Sequence, residues 1–162
     1  MEIITQSARE TQKLGEKIGH DLILDKFESR ILCLYGELGS GKTTFIQGLA
    51  KGLGIKKRIT SPTFVFIRQY EISLPRSPFG HLGGGEATTS TPARCDVFYH
   101  VDLYRIEKKD KVQNLGLEEI FSESQAVVAI EWAEKIKEIL PKKRINLWFN
   151  YLNQNERKVI IR

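Results

Sequence analysis

Apolar residues recur along this chain at two spacings, one helical and one alternating or continuous, and the order of the two outlines the fold. Ser7-Ala8-Arg9-Glu10 sets a capping hydroxyl three residues before a glutamate, and Leu14, Ile18 and Leu22 follow at helical spacing, which predicts an amphipathic first helix. The run Ile31-Leu32-Cys33-Leu34-Tyr35 has no polar alternation, the pattern of a strand covered on both faces, and it stops at Gly36. Phe45, Ile46, Leu49, Ala50 and Leu53 form the stripe of a second helix, with Gly54 placed to close it in a left-handed conformation. Residues 64–72 and 97–103 predict strands, 115–121 a short helix, and 126–130 another buried strand running into Glu131. Trp132, Ile136, Ile139 and Leu140 make a helical stripe that Pro141 terminates, and 145–149 with 159–161, either side of Asn153-Gln154-Asn155, predict a closing hairpin. No internal repeat interrupts the pattern.

The turn between the first buried strand and the second helix carries chemistry. Gly36-Glu37-Leu38-Gly39-Ser40-Gly41-Lys42-Thr43 matches G-x-x-x-x-G-K-[ST] at every fixed position. The motif requires a buried strand before it and a helix after it, and hydrophobic periodicity supplies both without reference to the motif. Its glycines let successive backbone N–H groups converge on phosphate oxygens, and the helix that follows adds its positive dipole end. Residues 37–44 (Glu37, Leu38, Gly39, Ser40, Gly41, Lys42, Thr43 and Thr44) are the expected nucleotide cradle, with Lys42 on the β and γ phosphates and the Thr43 hydroxyl on Mg2+. The expected ligands are therefore a nucleoside triphosphate and Mg2+. The fold that suits them is α/β: a P-loop NTPase-like three-layer sandwich with a largely parallel central sheet, flanking helices and a C-terminal antiparallel hairpin.

Mg2+ takes one or two carboxylates beside phosphate oxygens and waters. Asp102 and Glu131 each end an apolar strand, at the sheet edge where open α/β folds bind ligands, and periodicity does not divide the metal and water-holding roles between them. Thr60-Ser61-Pro62-Thr63 lies where many P-loop proteins sense the γ-phosphate, so this segment is either a switch or a plain Ser-Pro turn. Arg105, three residues after Asp102, is the arginine best placed for a phosphate contact, and Trp132 is either core or a wall of the nucleotide site.

Composition narrows the class. At 162 residues, 41% apolar and 28% charged, the chain is expected to form a single domain with a real core. No segment approaches the roughly 18 apolar residues of a membrane span, and the first twenty lack a secretory pattern, so a cytosolic location and no membrane contact are expected. Residues 73–94 hold three of the five prolines and the triplet Gly83-Gly84-Gly85, which predicts a flexible insertion. Cys33 and Cys95 read as one core and one loop thiol; His20, His81 and His100 show no ligand spacing and read as structural or surface residues. The net charge of +5 suits anionic partners without demonstrating one.

Taken together, these residues resemble the bacterial P-loop ATPase family of tRNA threonylcarbamoyladenosine biosynthesis, TsaE, formerly YjeE. The resemblance rests on Gly36 to Phe45, Ser61-Pro62-Thr63-Phe64, His100-Val101-Asp102-Leu103-Tyr104-Arg105, Leu115-Gly116-Leu117-Glu118 and Ile130-Glu131-Trp132-Ala133-Glu134. It implies an ATPase that works with the two sugar-kinase-like subunits of that pathway, of the TsaD and TsaB families, and supports repeated modification of tRNAs reading codons that begin with A. Threonylcarbamoyl transfer itself is then expected on a partner, with tRNA met through the complex. The resemblance also implies Thr43 and Glu131 at the Mg2+ site, Asp102 in the Walker B position, Thr63 in a switch segment and Trp132 beside the metal-site glutamate. The insertion at 73–94 is longer than is usual in that family.

Two other classes use the same turn. A small-molecule kinase needs a lid with phosphate-clamping arginines, and 73–94 offers only Arg76 and Arg94. A nucleotide-dependent interaction module would use ATP to order a bistable segment. A GTPase is disfavoured, since no Asn-Lys-x-Asp sequence is present.

Overall fold

The computed structural model of the chain describes residues 1–60, 66–73, 95–106, 112 and 115–162. Seven strands form one sheet: β1 Glu2–Thr5, β2 Ile31–Tyr35, β3 Ile67–Glu71, β4 Val97–Asp102, β5 Ala126–Glu131, β6 Ile145–Tyr151 and β7 Arg157–Ile161. Their order across the sheet is β1-β7-β6-β2-β5-β4-β3. The central four, β6-β2-β5-β4, run parallel, while β7 and β1 on one side and β3 on the other are antiparallel additions. The chain leaves β2 and later returns to either side of it, so the crevice beyond the carboxyl end of β2 is a topological switch point.

Strand β2 is buried at Ile31, Leu32, Cys33 and Leu34 because both of its faces are covered. On one face, helices α1 (Ala8–Ile23) and α2 (Lys42–Gly52) pack Ile18, Leu22, Phe45, Ile46 and Leu49 onto Leu32, Leu34 and Val127. On the other, Leu103, Leu117, Ala133 and Ile136 lie over Cys33, Val128 and Ile130. That face includes helix α3, Leu117–Ser122. Helices on both faces of a largely parallel sheet are the three-layer α/β sandwich the patterning predicts.

Helix α1 starts as expected: the Ser7 side chain accepts from the Glu10 N–H at 3.2 Å, and the Glu10 carboxylate reaches back to the N–H of Gln6 at 2.8 Å. Helix α2 ends as expected, with Gly54 at φ 78° donating to Lys51 O and Ile55 donating to Ala50 O, which is the Schellman closure. The hairpin of β6 and β7 is present and antiparallel.

The predicted helix after Trp132 forms only as a 3-10 turn, Ala133–Ile136. Trp132 is left-handed and Pro141 stops the segment, and so short a stretch between them is marginal as an α-helix. Strand β1 has no counterpart in the sequence pattern: four residues with one buried side chain carry no alternation signal, and its partner β7 is at the far end of the chain. Cys95 lies in a connection, as expected, and is buried there, at 2% exposure. The expected insertion at 73–94, apart from Ser73, lies outside the described residues, as do Thr63 and His81.

The two helices on the first face touch through glycine. Cβ atoms added at Gly15 and Gly19 of α1 would lie 2.1 Å from Phe45 O and 2.5 Å from Leu49 O. At Gly48 and Gly52 of α2 they would lie 1.9 Å from Gln12 O and 2.1 Å from Glu16 O. Each pair is spaced four residues apart, one helical turn, so a strip of bare backbone on each helix seats the other. This contact locks α1 to the helix that leaves the glycine-rich turn at 36–43.

Candidate nucleotide and metal site

Strand β2 runs straight into the glycine-rich turn, where Gly36, Gly39 and Gly41 take φ values of 137°, 75° and 101°. At Gly36 a side chain would also strike the Phe149 carbonyl, at 2.4 Å, so only glycine serves. Helix α2 has no side-chain cap and no acidic residue in its first turn, in contrast to α1. Its first N–H groups are thus left for an outside acceptor, and the dipole favours an anion there.

The turn borders a cleft of about 330 Å³ that brings together most of the predicted site: Leu38 to Thr44, Asp102, Glu131 and Trp132. Lys42 is 4% exposed and donates to Gly36 O at 2.6 Å and Glu37 O at 2.9 Å, with Ser40 Oγ at 3.5 Å. Glu37 therefore contributes a backbone carbonyl, and the residue is otherwise exposed. Burial holds the Lys42 ammonium below the ordinary lysine range, against the opposing pull of Glu131, Glu134, Asp102 and Glu37. A cation disfavoured by desolvation and held by neutral carbonyls gains more from an arriving phosphate than a solvated lysine would.

The parallel register sets Asp102 of β4 directly beside Glu131 of β5. Glu131, 3% exposed, accepts from the Thr43 hydroxyl, which lies 2.9 Å from both carboxylate oxygens. Asp102 is engaged differently, since its Oδ1 accepts the Tyr104 N–H at 3.0 Å and braces the turn after β4. The two carboxylates left equivalent by periodicity are thus distinguished by contact, with Glu131 the one that touches Thr43 at the end of the glycine-rich turn.

Trp132 walls the cleft. Its φ of 61° costs a bulky residue about 1–3 kcal/mol, and it places the ring 4.2 Å from Lys42 Nζ and 5.2 Å from the Tyr104 ring. Lys135 ties the same region by donating to the carbonyls of Tyr104 and Ile106.

Arg105 is exposed and is not among the side chains lining the cleft. The arginine that does line it is Arg157 of β7, whose guanidinium lies 4.6 Å over the Tyr151 ring and donates to Gly39 O at 3.3 Å. Ser7, Thr11, Gln154 and Asn155 also line it, and the cap and turn signals that Ser7 and Gln154-Asn155 carry in the sequence do not point to the cleft, because each reaches it through the packing of distant elements. His100, read from sequence as structural or surface, is fully buried with Nε2 3.0 Å from Glu131 Oε1. Its two-residue offset from Asp102 puts both on one face of β4, a signal present in the sequence.

The donor set suits a hard cation: a threonine hydroxyl, a carboxylate beside it and a second carboxylate on the next strand are all oxygen. Among the described residues no group of three or more His, Cys, Asp or Glu side chains forms a metal cage, so a cation here would complete its shell with phosphate oxygens and water.

Comparison with known proteins places the whole chain among relatives of one name. The family model for "Threonylcarbamoyl adenosine biosynthesis protein TsaE" matches residues 5–159. Three proteins named tRNA threonylcarbamoyladenosine biosynthesis protein TsaE are similar to the chain. That of Bacillus subtilis is 37% identical over 80% of this chain and 66% of its own length. That of Treponema pallidum is 29% identical over 99% of both, and that of Aquifex aeolicus 32% identical over 99% of this chain and 94% of its own. A crystal structure of Bacillus subtilis YdiB superimposes with a TM-score of 0.63 at 26% identity, covering 98% of this chain and 82% of that one.

Proposed function

The chain belongs to the TsaE family of tRNA threonylcarbamoyladenosine biosynthesis, and from that premise we propose that it is the ATP-binding and ATP-hydrolysing subunit of the modification complex. The observation that carries this reading is the contact of Thr43 Oγ1, at the start of α2, with both oxygens of Glu131 at the end of β5. It joins a phosphate-gripping turn to a buried carboxylate, which is the pairing that triphosphate chemistry uses.

In this reading the first turn of α2 and Lys42 hold the β and γ phosphates, and Thr43 with Glu131 holds Mg2+. Mg2+ would neutralise the charge that develops on the phosphate oxygens during transfer to water. Asp102, through its hydrogen bond to the Tyr104 N–H, keeps the turn after β4 in place beside the site. Trp132 limits the space around Lys42 and keeps its ammonium desolvated. Threonylcarbamoyl transfer falls to a partner subunit, the partners being the two sugar-kinase-like proteins of the TsaD and TsaB families; tRNA is met through the complex, and the assembly works in the cytoplasm.

The test is ATP binding and turnover by wild type, Lys42→Ala and Glu131→Ala, each with and without the two partners. Lys42→Ala should lose MgATP affinity, while Glu131→Ala should keep most of it and lose turnover by about 10–100-fold. Unchanged ATPase activity in both variants would sink the proposal.

A further inference from the structure

Thr43 has one hydroxyl proton, and its oxygen lies 2.9 Å from both Glu131 oxygens. That contact holds the carboxylate near the phosphate loop without choosing between its two oxygens. The choice is made by His100. Its Nε2 is 3.0 Å from Oε1, and among the described residues Oε2 has no second protein donor. A carboxylate can only accept, so Nε2 carries the proton and donates.

The imidazole is held firmly. His100 is in the middle of β4, paired with Ala129 of β5 on one side and Arg68 of β3 on the other, and its side chain is 0% exposed. Its other ring nitrogen, Nδ1, is buried with no hydrogen-bond partner among the described residues. A buried polar atom left bare is costly, and an apolar side chain would fill the same space without that cost. Filling the core therefore does not account for a histidine here, whereas the bond to Glu131 does.

We propose that His100 is a positioning residue that anchors Oε1 of Glu131 and thereby reserves Oε2 for the cleft. The inference rests on the reading of Glu131 as the carboxylate of the metal and turnover site. The general precedent is that partners of a metal-site ligand act by orienting it, and that losing one costs about 10–100-fold in metal affinity or activity.

Two substitutions separate this from a structural role. His100→Phe keeps the shape and removes the donor; His100→Gln offers an amide N–H at a similar reach. With MgATP, His100→Phe is expected to lower kcat about 10–100-fold with KM for ATP within about threefold of wild type, and His100→Gln to recover most of that loss. Mg2+ affinity in the presence of a non-hydrolysable ATP analogue, read by calorimetry, should fall in the Phe variant and recover in the Gln variant. Urea midpoints of both should stay near wild type. Equal loss in the two variants, or a Phe variant with wild-type kcat and Mg2+ affinity, overturns the inference. A readout that needs no nucleotide keeps it separate from the ATPase proposal. Side-chain carbon NMR of the free protein should show Glu131 ordered in wild type and spread over rotamers in His100→Phe. If wild type fails to hydrolyse ATP yet this ordering difference is found, the ATPase reading falls and the anchoring stands; a Glu131 as ordered in the Phe variant as in wild type removes the anchoring whatever the enzyme does.

Discussion

Replacing Gly48 with alanine pits two effects of opposite sign against each other. In the interior of a helix alanine is favoured over glycine by about 1 kcal/mol, so propensity alone predicts a more stable protein. The tertiary contact predicts the reverse. The new Cβ would lie 1.9 Å from the Gln12 carbonyl oxygen, whereas ordinary contact begins at 3.4 Å, and the obstacle is backbone that no rotamer change can move aside. To make room, α1 and α2 must part by a distance on the order of 1 Å. A radial gap of 0.5–1 Å already forfeits about a quarter to a half of the dispersion well for every atom pair it opens, and Ile18, Leu22, Phe45 and Leu49 all sit in the core beneath these helices. Overpacking of this kind costs about 1–3 kcal/mol, and a clash with fixed backbone sits at the upper end, so after the propensity gain the net is a loss of up to about 2 kcal/mol. Urea denaturation followed by circular dichroism should show a lower midpoint with an unchanged slope. Because α2 begins at Lys42, the same variant should also bind MgATP more weakly. Adding Gly15→Ala should cost less than the two single changes summed, since helices already parted accept a second methyl. A midpoint at or above wild type would refute the claim that backbone contact, and not helix propensity, governs this interface.

Burial pushes the Cys33 thiol up to about 11 from an ordinary 9.0. The folded state then keeps the proton while the unfolded chain loses it, so this stabilisation is whole below about pH 9 and is lost as pH rises through about 11, roughly 3 kcal/mol in all. Urea titrations at several alkaline pH values should show a steeper decline in wild type than in Cys33→Ala; parallel declines would show that the thiol ionises equally in both states. For the nucleotide site, Trp132 is a built-in reporter, since Lys42 Nζ lies 4.2 Å from its ring and phosphate would draw the ammonium away. In a Trp148→Phe protein, where Trp132 is the remaining tryptophan, MgATP should change the emission; an unchanged spectrum at saturating nucleotide would place the phosphates elsewhere.

What could be read along the chain was what neighbouring residues settle among themselves. The strand, turn and helix around Gly36 to Thr43 form a contiguous motif, the Ser7 cap and the Gly54 closure are made within one helical turn, and the buried run at 31–35 announces cover on both faces. Glu131 and Asp102 were visible as carboxylates at strand ends for the same reason, but their different contacts were not. The division depends on which strands lie side by side: β5 beside β2 brings Glu131 to Thr43, 88 positions away in the chain, while β4 beside β5 brings His100 to the same carboxylate. Arg157 enters the cleft through the pairing of β7 with β6 and Ser7 from the turn between β1 and α1, and the two glycine pairs of α1 and α2 have meaning only once the helices cross. Periodicity records how often a side chain faces the core, and it is silent about what waits there, because hydrogen bonds and steric contacts act over about 3 Å in space with no regard for separation along the chain.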